Sequence, residues 1–107
     1  MVKDVIKGDD YPEAKKVNKI MEDLKRTNKE MEKLLFKLPL SDHNEIARMD
    51  YLVRRQLRLM EIVIPRNVPQ RILIHLDNVK DTALLLRERY STALHTGKIR
   101  KPVEYDE

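Results

Sequence analysis

Apolar residues recur at alternating intervals of three and four in three separate runs of this chain, and that spacing leaves few folds open. It is the period of one face of an α-helix, where positions three and four apart lie above one another. The first series is Val17, Ile20, Leu24, Thr27, Met31, Leu34 and Leu38. The second runs through Ile46, Met49, Val53, Gln56, Met60 and Val63. The third, and the most regular, is Ile72, Leu76, Val79, Ala83, Leu86, Tyr90 and Ala93. Thr27, with Asn28 beside it, makes a polar notch in the first seam, and single polar positions of this kind fix register in coiled coils. Gln56 fills the missing place in the second.

Residues that start and stop helices stand between these runs. Pro12 suits a first turn, with Asp9 or Asp10 as cap and Glu13 at the positive end of the helix dipole. Pro39 disfavours helical geometry at Leu38 and closes the first segment. Ser41 is a candidate cap for the second, as is Asp42 with Glu45 three residues later in the manner of a capping box. In the stretch "EIVIPRNVPQRILIHL", residues 61–76, Pro65 ends the second segment, Asn67 caps the third and Pro69 falls in its first turn. Two prolines in five residues stiffen a connection, so this is a tight turn and not a hinge. Gly97, after His95 and Thr96, reads as a left-handed C-terminal stop.

The pattern predicts an all-α fold, an antiparallel up-down-up bundle of three long helices over 12–38, 42–64 and 68–96 that self-associates. The bundle spans 12–97, between an N-terminal tail, 1–11, and a flexible C-terminal tail, 98–107. In that tail Ile99, Val103 and Tyr105 alternate as if to lie along a partner. The alternative is a helical hairpin that completes its core only with another chain. Composition agrees with helices: two Gly, no Trp and 37% charged residues in 107.

Several classes of function are disfavoured. With no Cys there is no disulfide framework and no thiolate metal site. The N-terminus is too polar for a signal peptide, and no run approaches the ~18 apolar residues of a membrane span. The expectation is a cytoplasmic protein with no membrane contact. His43, His75 and His95 stand apart at no ligand spacing, so no metal is expected. No Gly-rich phosphate loop, nucleophile elbow or acid–base constellation is present, which predicts no enzyme, no cofactor and no small-molecule substrate.

Two surfaces remain. The net charge is +4, but eighteen acids are interleaved with twenty-two basic residues, which dilutes any field. Arg54, Arg55, Arg58, Arg66 and Arg71, in the second helix and the turn after it, are the residues that would meet phosphates. Aromatic side chains for stacking are missing there apart from Tyr51. The second surface is an apolar surplus that a three-helix core does not use: Ile62, Ile64, Ile74 and Leu85. Large apolar patches are seldom left in water, so these residues predict an interface, most simply that of a homodimer or with another helical protein. The chain therefore reads as a non-catalytic interaction protein, a regulatory, adaptor or assembly component. The alternative is a basic, nucleic-acid-associated protein.

Overall fold

The computed structural model describes residues 12–64 and 67–100. It contains three helices, α1 (Pro12–Phe36), α2 (His43–Met60) and α3 (Gln70–His95), and no strand occurs among the described residues. They pack as a bundle in which α1 is central: it lies along both α2 and α3, whereas α2 and α3 approach each other at few points.

Burial follows from that arrangement. With a neighbour on each side, α1 covers a broad arc of its surface. Ala14, Met21, Asn28 and Leu35 form one buried row at seven-residue steps, and Val17, Leu24 and Met31 form the row beside it. Facing mainly α1, α2 buries a narrower stripe of Ile46, Met49, Leu52, Gln56 and Leu59. This corrects the second seam. Val53 and Met60 are only half-buried, and Val63 is 89% exposed. Leu52 and Leu59 precede Val53 and Met60 by one position, about 100° around the helix, and the stripe has turned by that amount toward α1. α3 buries Ile72, Leu76, Val79, Ala83, Leu86 and Ala93, the expected seam except for a half-buried Tyr90.

The helix ends differ from expectation at three places, all near prolines. α1 stops at Phe36 rather than 38, with the Lys37 N–H donating to the Leu34 carbonyl in a closing turn before Pro39. α2 stops at Met60 rather than 64, with the Glu61 N–H donating back to Leu57 and Arg58 carbonyls. The three residues after Glu61, Ile62, Val63 and Ile64, are all β-branched, and the last precedes Pro65. Stiff side chains and a residue barred from helical geometry end the helix early. α3 begins at Gln70 with Pro69 at the N-cap position, and no side chain caps it. Asn67, expected as the cap, is exposed, because Pro69 disfavours helical geometry at Val68 and the helix starts after it. Val68 is buried instead. With Leu73 in the same cluster, it stands at the positions of a hydrophobic staple. Pro65 itself lies outside the described residues, as do Asp9 and Asp10.

The other termini match their signals. The Asp42 carboxylate accepts from the backbone N–H groups of Asn44 at 2.7 Å and Glu45 at 3.3 Å, capping α2. Glu45 turns away to Lys37, 2.8 Å off, so the reciprocal half of a capping box is not made. At the end of α3, Gly97 takes φ +76°, its N–H donates to Leu94 and that of Lys98 to Ala93, which completes a Schellman motif. The chain then turns inward. Ile99, placed by sequence in a tail beyond the bundle, is buried beside Leu40, and the Leu40 N–H donates to the Lys98 carbonyl at 2.7 Å. Ile99, one position beyond the C″ residue Lys98, packs beside Leu40, so the bundle's core extends past Gly97. Val103 and Tyr105 lie outside the described residues.

Candidate functional site

The core is divided in two. One apolar cluster gathers Val17, Met21 and Leu24 of α1 with Leu59, Ile72, Leu76 and Val79, and the other gathers Met31, Leu34 and Leu35 with Ile46, Met49, Leu52 and Leu86. Between them lie the buried polar residues Thr27, Asn28 and Gln56. Asn28 reaches both neighbouring helices: its Nδ2 donates to the Val79 carbonyl at 3.2 Å, and its Oδ1 accepts from Gln56 Nε2 at 2.9 Å. Thr27 donates its hydroxyl to the Asp23 carbonyl one turn back. Gln56 is fully buried, yet its Oε1 has no hydrogen-bond partner. An orphaned acceptor of this kind costs about 1–3 kcal/mol, set against the hydrogen bonds by which the layer fixes the three helices at one level.

Several ionisable groups outside this layer are paired at the surface. Arg48 donates through Nε and Nη2 to both Glu30 oxygens, at 2.7 and 2.9 Å, and its guanidinium sits 5.0 Å from the Tyr51 ring centroid. That hydrogen bonding holds the Glu30 carboxyl below its ordinary range. Burial pushes the Tyr90 phenol up, with the nearby Asp50 carboxylate adding to the effect. His43, His75 and His95 are all exposed, and His95 Nδ1 donates to the Ser91 carbonyl at 2.9 Å. Among the described residues no three His, Asp or Glu side chains converge as metal ligands.

Of the arginines singled out from sequence, Arg54 and Arg58 stand four apart on one face of α2. Arg54 pairs with Asp50 at 3.2 Å and Arg55 with Asp23 at 3.5 Å, on different sides of α2. Arg58 and Arg71 are exposed, and Arg66 lies outside the described residues.

Of the four apolar candidates, Leu85 stands away from the end of the bundle where the other three lie. Ile62 is exposed after the end of α2, while Ile64 packs against the first core cluster and is accounted for within the chain. Ile74 and Leu85, 52% and 61% exposed, share the outer face of α3 but stand three turns apart. The chain matches no family model, no curated protein and no solved structure. Its surface must therefore speak for itself.

The most regular exposed feature joins Leu85, Arg54 and Arg58, already candidates from sequence, to Leu57 and Leu84, which were not. On α3, Asp81, Leu84, Leu85 and Glu88 fall at positions i, i+3, i+4 and i+7, one stripe of leucines with an acid at each end. On α2, Arg54, Leu57 and Arg58 fall at i, i+3 and i+4, a leucine between two arginines. Leu57 and Leu84 are 42% and 55% exposed. The α3 stripe borders a shallow open hollow that continues to Arg87, Tyr90 and Leu94. The signal was legible as helical spacing on the polar side of each seam; attention to the buried face hid it.

Proposed function

We propose that this chain is a non-catalytic helical interaction protein, a regulatory, adaptor or assembly component that presents helix faces to another chain, most simply a second copy. The observation that carries the reading is the outer face of α3, which keeps Ile74, Leu84 and Leu85 exposed beside an α2 that approaches it at few points. Helices in a finished bundle cover such faces with a neighbour.

The up-down-up antiparallel course of the helices belongs to this proposal. It is supported by the ion pairs between α1 and α2, in which a step of seven residues down α1, from Glu30 to Asp23, accompanies a step of seven up α2, from Arg48 to Arg55. Opposite progression of partners is the mark of antiparallel neighbours. Catalysis is left out of the reading because the carboxylates that the fold brings near cations are engaged in surface ion pairs. A cytoplasmic setting is proposed from the cysteine-free composition, and no helix among the described residues is long and apolar enough to cross a membrane.

The test is oligomeric state. Leu84→Lys combined with Leu85→Lys, on the exposed outer face of α3, should convert a dimer to a folded monomer of unchanged helicity, read by light scattering and circular dichroism. A wild type that is monomeric at high concentration refutes self-association.

A further inference from the structure

The two exposed stripes are complementary to each other. α2 offers Leu57 between Arg54 and Arg58; α3 offers Leu84 and Leu85 between Asp81 and Glu88. None of the ion pairs among the described residues engages Arg58, Asp81 or Glu88. Within one chain no ion pair among the described residues joins one stripe to the other, and α2 and α3 approach each other at few points. Their relative level is set by Arg87, whose Nη1 donates across the gap to the Val53 carbonyl at 3.2 Å. Counting from that contact along helices of opposite direction, Leu57 stands level with Leu84, Arg54 with the turn holding Leu85 and Glu88, and Arg58 with Asp81.

We propose that a second copy of this chain docks on the open side of the α2–α3 pair, about a two-fold axis parallel to the helices. Such an axis lays α2 of each copy over α3 of the other and preserves level. Leu57 then meets Leu84 and Leu85 of the other copy in a closed apolar seam, with Arg58 opposite Asp81 and Arg54 opposite Glu88, every contact occurring twice. The leucines supply the burial, and the rim charges choose the partner and its register. This surface rests on the reading of the chain as a self-associating up-down-up bundle.

The experiment reverses one charge at a time. In Arg58→Glu every Arg58–Asp81 contact becomes acid against acid, and in Asp81→Arg every one becomes base against base. Each variant alone should dissociate, its dimer weakened at least about tenfold in sedimentation equilibrium, with its helicity unchanged. Mixed in equal amounts, the two should form a heterodimer of wild-type affinity, because both contacts are then opposite in sign. Single variants that remain dimers overturn this face while self-association stands, as does a mixture that stays monomeric. A monomeric wild type overturns the self-association reading together with this one.

Discussion

Asn28 and Gln56 tie all three helices together at one point, and their coupling is measurable. Asn28→Leu alone leaves Gln56 Nε2 without its acceptor, and Gln56→Leu alone strands Asn28 Oδ1. Each should cost about 1–3 kcal/mol. The double variant replaces both partners with apolar groups of similar volume and removes the orphaned Gln56 Oε1 as well. It should therefore be more stable than the sum of the singles by at least about 1 kcal/mol in urea unfolding. Additivity within ~0.5 kcal/mol would show that the two amides are not energetically linked. Half of this layer was legible. Thr27 and Asn28 announced a polar notch, but Gln56 read as a seam filler, because spacing reveals that a residue faces inward and not which side chain it meets there. Asn28 also continues the buried row of Ala14, Met21 and Leu35, a seven-residue repeat hidden by the stronger seam next to it.

Helix ends test which local signals govern this chain. Asp42 accepts two backbone hydrogen bonds at the start of α2, whereas Asn67 makes none for α3. Asp42→Ala should cost about 1 kcal/mol, and Asn67→Ala should stay within about 0.5 kcal/mol of the parent. Comparable losses in thermal unfolding would mean that Asn67 contributes to the turn in a way the bonding does not account for. The contrast explains where reading by punctuation succeeded. Proline, glycine and aspartate marked where the connections fall, though α1 stops two residues short of Leu38. The exact start and stop around 61–69 escaped because two constraints compete there: a seam that continues through Val63, and a β-branched run before proline that cannot remain helical. Ile99 escaped for a different reason. A single apolar residue after a glycine stop has no period, so nothing in its neighbourhood distinguishes burial from exposure.

Three helices of the expected order were legible from the whole chain, but their contacts were not. A seam tells a helix to bury one face and does not say how many neighbours will share it. The doubled row on α1 is the trace of two neighbours, and the turned stripe on α2 is the trace of one. The polar layer now acquires a meaning in time. Above it, the cluster around Met31, Met49 and Leu86 is shut in by the Asp42 cap, the Schellman turn at Gly97 and the backbone tie from Leu40 to Lys98. Below it, the cluster around Val17, Leu59 and Ile72 ends in an uncapped helix start and an exposed β-branched segment. Opening should begin at that looser end and halt at Asn28, where continuing means breaking bonds to two helices at once. Amide hydrogens of Met49, Leu52 and Leu86 should then exchange more slowly than those of Leu24, Leu76 and Val79. Uniform rates across that boundary would make the molecule a single breathing unit; two tiers would make the buried amides a latch, with one half of the rod released many times for each time the other lets go.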